Sequence, residues 1–193
     1  MSKNKTGAAL KRAGKATAKK PAGTLLETRI IIRSGYDELL QRGFGKHIER
    51  SLELALVEAL YLVEKNKVSI KQGRKPIKFA ALLDYGVGKD PRLHEKFIVY
   101  RDLRDRGFLV KTGFKFGCDF RVYQRGVALK RGPKTPEEHT KWVVYTVPED
   151  YTCSFQELSR AVRLAHSIRA KMLWAVVDNE SNVTYYTIMR STL

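Results

Sequence analysis

Cysteine is scarce in this sequence. Cys118 and Cys153 stand far apart, and neither belongs to a CxxC pair. That spacing excludes a disulfide framework and argues against a zinc site. It fits a reducing compartment, and a cytoplasmic location is expected. No window reaches about 18 consecutive apolar residues, so no membrane span and no membrane partner are expected. The amino terminus is charged, but no apolar stretch follows, so no signal peptide is expected. There is no HExxH and no paired Cys/His set. "DYGVGKD" lacks both the upstream glycine spacing and the Ser/Thr after Lys of a P-loop. No cofactor or metal is therefore expected.

Acidic residues are few relative to basic ones. Across 193 residues, 37 Lys and Arg face 20 Asp and Glu, a formal net charge of +17. The first 20 residues hold seven Lys/Arg and no acid. They read as a basic arm without apolar period, suited either to loose phosphate attraction or to solubility. The rest is still strongly basic, so the arm does not account for the charge. A polyanionic partner is indicated. A hydrophobic fraction of 43% is enough for a folded core.

The pattern along the chain predicts a mixed α/β (α+β) protein without internal repeats. It divides into a basic tail (1–22), a small amino-terminal α/β domain (23–90) and a carboxy-terminal domain (91–193) built on a sheet with flanking helices. The division follows "GVGKDP" (86–91), where glycine and proline interrupt the apolar period. "TRIIIR" predicts a strand and "YDELLQRGFG" a short helix. "ERSLELALVEALYLVEKNK" predicts a helix that is apolar nearly all round. "RLHEKFIVYRDLRDRG" predicts a helix with Leu93, Phe97, Tyr100 and Leu103 on one face. Two strand-like runs follow, "FLVKTGFKFG" and "CDFRVYQ". After a polar loop come the strand "KWVVYTV", a helix opened by the capping box "SFQE", the strand "MLWAVV", expected to be fully buried, and a last strand "VTYYTIM".

Three groups carry chemistry. By strand alternation, Tyr123 shares a face with Asp119 and Arg121, so it is expected at a strand end on a polar face. Cations beside a Tyr favour the phenolate, the form a general base needs; Tyr is also simply common in strands. His139 lies where a polar loop enters a strand, a place for a general acid or for an ordinary solvated His. Arg163, His166 and Arg169 follow one another at i, i+3 on one helix side. They read as a phosphate-facing edge or as cations complementing the helix dipole. Without metal ligands or a carboxylate cluster, this set points to RNA cleavage in which the RNA supplies its own 2′-hydroxyl nucleophile.

Taken together, "YRDLRDRGFLVKTGFKFGCDFRVYQRG", a His before a strand, and "VRLAHSIRAKM" resemble the archaeal tRNA-splicing endonuclease family. "SLELALVEALYLVE" resembles its amino-terminal domain, so the likeness runs from about residue 28 to the end. It implies an amino-terminal mixed α/β domain, a carboxy-terminal nuclease domain, and metal-independent cleavage of precursor tRNA at bulge–helix–bulge junctions. The products would be 2′,3′-cyclic phosphate and 5′-hydroxyl ends. The family's general base falls on Tyr123, its general acid on His139, and an Arg that stacks on a bulge base on Arg163. The family's catalytic Lys falls on Ala170, with Lys171 next to it. One helical residue is about 100° of rotation, so Lys171 does not simply substitute while the helix continues. An introduced Lys-to-Ala change, a naturally weakened subunit and a one-residue register slip would each account for this; the presence of Tyr123 and His139 favours the first.

The resemblance also implies assembly, as a homotetramer or with a second endonuclease subunit as a heterotetramer. An acidic loop of one subunit would dock into a basic cleft of another. "DNES" offers Asp178 and Glu180 for this, or is an ordinary hairpin turn. Lys46, Lys130, Arg131 and Lys134 would touch RNA or be solvated. A non-catalytic RNA-binding or scaffold subunit is the alternative.

Overall fold

The computed structural model describes residues 20–113, 116–127 and 135–191, without the Glu137 side chain. It has five α-helices and two mixed sheets among the described residues. The first sheet comprises β1 (Ala22–Leu26), β2 (Arg29–Ile32), β3 (Lys46–Ile48), β4 (Ser51–Ala55), β5 (Ser69–Gln72) and β6 (Lys75–Ile77). Their spatial order is β3-β4-β2-β1-β5-β6. The helices α1 (Asp37–Gln41), α2 (Leu56–Glu64) and α3 (Phe79–Val87) belong to this half.

One sequence expectation fails here. Residues 51–55 are a strand, and the helix begins only at Leu56. Leu52 and Leu54 are both fully buried while Ser51, Glu53 and Ala55 between them are partly open. This is period two, hidden in a window that continues into a helix with equally dense leucines. Ala55 is extended (φ −71°, ψ 157°), and its N–H donates to the Glu58 carboxylate at 3.0 Å. Three short strands, β1, β3 and β6, were also not anticipated. At three to five residues they are too short for a periodic signal.

The second half opens with α4 (Leu93–Asp105), followed by β7 (Leu109–Thr112), β8 (Phe120–Tyr123), β9 (Trp142–Pro148), α5 (Phe155–Ser167), β10 (Lys171–Val177) and β11 (Val183–Ile188). The sheet runs β11-β10-β9-β8-β7, with β9 and β10 parallel and the other neighbours antiparallel. One face joins α4 in the main core through Phe120, Val122, Trp142, Val144, Leu173 and Ala175. The opposite face carries Val143, Met172 and Trp174 in a smaller cluster with Ala161 and Ala165 of α5. The α5 stripe is only partly covered, since Phe155 at its start is 89% exposed. β10 is likewise half-covered, because Leu173, Trp174 and Val176 remain partly open.

The two halves are joined by polar contacts as well as by core. Lys111 of β7 donates to the carbonyl of Gly45 at 2.6 Å, and the Gly45 N–H donates to buried Glu58 at 2.9 Å. Gly45 has φ +60°, and a Cβ there would stand 2.5 Å from the Glu53 carbonyl oxygen, so only glycine fits. Burial lowers the Lys111 pKa, with Glu58 acting the other way.

Candidate active site

Strand register brings the candidate catalytic positions to one end of the second sheet. Val122 pairs with Trp142, and Trp142 with Lys171. The Lys141 N–H donates to the Val122 carbonyl at 2.9 Å, and the Lys171 N–H to the Lys141 carbonyl at 2.8 Å. One step beyond the paired rungs, Lys141 therefore stands between Tyr123 on β8 and Ala170 before β10. Paired residues share a face and successive residues alternate. Val122, Trp142 and Leu173 face α4, while Val143, Met172 and Ala170 face α5. Tyr123, Lys141 and Ala170 thus fall on the α5 face, and Lys171 falls on the other.

The helix ends at Ser167, so helical rotation does not govern residues 170 and 171. Strand alternation does, and a one-residue step there reverses the face. The turn between is a Schellman closure: the Arg169 N–H donates to the His166 carbonyl at 3.0 Å and the Ala170 N–H to the Ala165 carbonyl at 2.8 Å. Arg169 takes the left-handed conformation that glycine usually fills, at φ +56°. Ala170 supplies the apolar contact that accompanies such closures, packing on the α5 cluster.

Tyr123 is 1% exposed, which departs from the expected polar face. Alternation assigns a side but does not say what lies over it. Its cross-strand partner Leu109 is buried against the Gly43 turn of the amino-terminal half, where a Cβ would meet Leu109 Cδ1 at 2.7 Å. The amino-terminal half thus packs on Leu109 beside Tyr123. His139 is exposed and follows a short 3-10 turn, Pro136–Glu138. Thr135 opens the turn by donating its N–H to the Glu138 carboxylate at 3.0 Å, and Glu138 is buried. With Glu138 anchored inward, the extended His139 (φ −83°, ψ 149°) leads outward into β9. Continuing the alternation, it falls on the Lys141 side.

Arg160, Arg163 and His166 are exposed on α5, but Arg169 is exposed in the turn beyond its end, so the expected row on one helix side stops at His166. Among the described residues none of them forms an ion pair with an acid. Lys46 is exposed at the start of β3, opposite Glu53. Lys130, Arg131 and Lys134 lie outside the described residues. Asp178 is occupied within its turn, accepting N–H groups of Glu180 at 3.0 Å and Asn182 at 2.8 Å. Hydrogen bonds from Asn182, backbone first, hold its carboxyl below the usual range. Glu180 is left exposed.

Sequence reasoning missed Lys141. The signal was present in "HTKW", since residues two apart in an entering strand share a side. It also missed Arg125, whose guanidinium lies 4.7 Å from the Phe108 ring, with Phe108 edge-on to Trp142 at 5.6 Å. Among the described residues no group of three or more His, Cys, Asp or Glu could hold a metal ion.

A cleft of about 810 Å³ opens between the two halves. Lys20, Arg42, Lys65, Lys67 and Arg104 line it together with Phe44. Arg104 stacks on Phe44 at 3.8 Å, which fixes one of these cations. No helix among the described residues is long and apolar enough to cross a membrane.

Comparison with known proteins agrees along both halves. Residues 22–83 match the tRNA intron endonuclease N-terminal domain, and residues 93–185 the tRNA intron endonuclease catalytic C-terminal domain. A tRNA-splicing endonuclease of Thermococcus kodakarensis is 41% identical over 148 residues, covering 77% of this chain and 83% of that protein. One from Methanococcus maripaludis is 35% identical over 167 residues, covering 85% and 90%. One from Methanothermobacter thermautotrophicus is 38% identical over 148 residues, covering 75% and 81%. Both halves of this protein, sheet and sequence together, belong to the tRNA intron endonuclease family.

Proposed function

We propose that this chain cleaves precursor tRNA at bulge–helix–bulge intron junctions by general acid–base catalysis without a metal. The observation that supports the reading is the register: Tyr123, Lys141 and Ala170 occupy successive rungs at one sheet end, with His139 two residues before Lys141. In the reaction, Tyr123 takes the proton of the 2′-hydroxyl next to the scissile bond as general base. The freed 2′-oxygen attacks phosphorus, the bond to the 5′-oxygen breaks, and His139 gives that oxygen a proton. The products are a 2′,3′-cyclic phosphate and a 5′-hydroxyl. The exposed Arg163, His166 and Arg169 offer flat and positive groups to the unpaired bases and phosphates, with Arg163 as the stacking residue. Lys46, Lys130 and Lys134 add outlying phosphate contacts.

Ala170 favours a second reading, a non-catalytic RNA-binding or scaffold subunit, because the family Lys position holds no cation. Cleavage of a bulged precursor RNA in EDTA, with product ends analysed, separates the two. Tyr123→Phe and His139→Ala should each reduce the rate by about 10²–10⁴-fold. Absence of cleavage by the chain and by its Ala170→Lys variant, alone and with any partner subunit, would sink the nuclease reading.

Two surfaces support an assembly. β11 is a sheet edge, and Tyr186 and Met189 are exposed along it and just beyond it. It suits pairing with another subunit. The turn carrying Asp178 and Glu180 suits the basic cleft of a further copy or of a second subunit, giving a homotetramer or heterotetramer. In this arrangement Asp178 shapes the turn and Glu180 makes the contact.

A further inference from the structure

We propose that Lys141 is a catalytic residue of this site, supplying the positive charge that position 170 lacks. The inference rests on the nuclease reading above and deepens it. Lys141 occupies the rung between Tyr123 and Ala170, fixed by main-chain hydrogen bonds on both sides: its N–H donates to Val122, and its carbonyl accepts from Lys171. Its backbone position is thus set by the same two strands that carry the flanking residues. Its side chain is half-exposed and falls on the α5 face. His139 precedes it by two residues, so base, acid and this ammonium share one side of the strand ends.

Lys141 is also uncommitted. Among the described residues its ammonium forms no ion pair and no hydrogen bond. The other half-buried lysines are in use: Lys96 pairs with Asp90 and Asp119, and Lys111 holds the Gly45 carbonyl. Lys171, the alternative cation, stands on the opposite face beside Trp142. A neighbouring rung is about 4.7–4.9 Å away, within the reach of a four-carbon Lys side chain. Lys141 can therefore place its ammonium where a Lys at 170 would place it. There it stabilises the charge that builds on the phosphate oxygens as the 2′-oxygen adds and the 5′-oxygen leaves.

The test is single-turnover cleavage of a bulge–helix–bulge RNA by the full chain, with its partner subunit where the native complex contains one. The unaltered chain should cleave. Lys141→Gln should lower the single-turnover cleavage rate by about 10²–10³-fold, with the half-saturating enzyme concentration changed little and the thermal transition kept. Lys141→Met removes the charge but keeps the stem, and should behave the same way. Lys141→Arg should retain part of the rate. Ala170→Lys placed in the Lys141→Gln chain should restore it. Full activity of Lys141→Gln or Lys141→Met overturns the proposal, and so does an unaltered chain that stays inactive until Ala170→Lys is introduced. Both results leave the nuclease reading standing. Inactivity of every version, Ala170→Lys included, removes both.

Discussion

At the residue scale, two positions carry unusual demands. Arg169 sits in the left-handed region at the C-terminus of α5. For a non-glycine residue this costs about 1–2 kcal/mol. Arg169→Gly should therefore raise thermal stability by up to about 1 kcal/mol, less the entropy glycine loses on folding; calorimetric melting checks it. If the exposed guanidinium binds RNA, the same variant should bind precursor RNA more weakly while being more stable. Glu58 is the second position. Its buried carboxylate accepts the N–H groups of Gly45 and Ala55, one holding the turn before β3 and the other the start of α2. Glu58→Ala should destabilise by about 1–3 kcal/mol, because two donors lose their partner inside the protein. Denaturant titration measures it, and a cost near zero would show that water replaces the carboxylate.

At the element scale, α5 shows how local rules place function. Ser154 caps the helix by accepting the Glu157 N–H at 3.2 Å. Ser154→Ala should cost about 1 kcal/mol in equilibrium unfolding. Because the cap lies at the far end of α5 from the candidate site, its loss should leave the cleavage rate nearly unchanged. The capping box and the helix were legible in "SFQELSRAVRLAHSIR"; the basic row was legible only to His166, because Arg169 lies in the left-handed turn past the helix end. The strand β4 was not. Leu52 and Leu54 alternate with polar neighbours, but Leu56, Leu60 and Leu62 directly continue the apolar run, so the change from period two to period 3.6 has no boundary residue of its own. The tertiary pairing of β4 with β2 and β3 decides it.

At the scale of the whole molecule, charge and the joint between halves govern behaviour. Asp105 of α4 accepts from Tyr61 of α2 at 2.9 Å and from Lys65, just past the end of α2, at 2.9 Å. Partial burial works against ionisation of Asp105, but the Lys65 and Tyr61 hydrogen bonds outweigh it and lower its pKa. Burial and the same bond push the Tyr61 hydroxyl up to about 12. A lowered carboxyl pKa gives stability that is present above the ordinary Asp value of about 3.9 and lost as pH falls through the folded value. The partners are partly exposed, so the contribution is below about 1 kcal/mol. Asp105→Asn should flatten the acid limb of the stability curve below about pH 4, seen by chemical unfolding across pH. Removal of residues 1–20, with their seven cations, should weaken RNA binding for all sequences and reduce its salt slope, leaving the cut position unchanged. Binding assays over a salt series decide this.

The sequence by itself determined the polyanionic partner, the mixed α/β class, the family resemblance and the identities at 123, 139 and 170. These depend on composition and local spacing, which are written along the chain. Only the tertiary structure decided which face each residue occupies at the meeting of β8, β9 and β10. Sheet register is a relation between distant segments, and a one-residue step reverses the side. That relation separates Lys171 from Tyr123, and it places Lys141, a residue with no mark of its own in the sequence, between Tyr123 and Ala170.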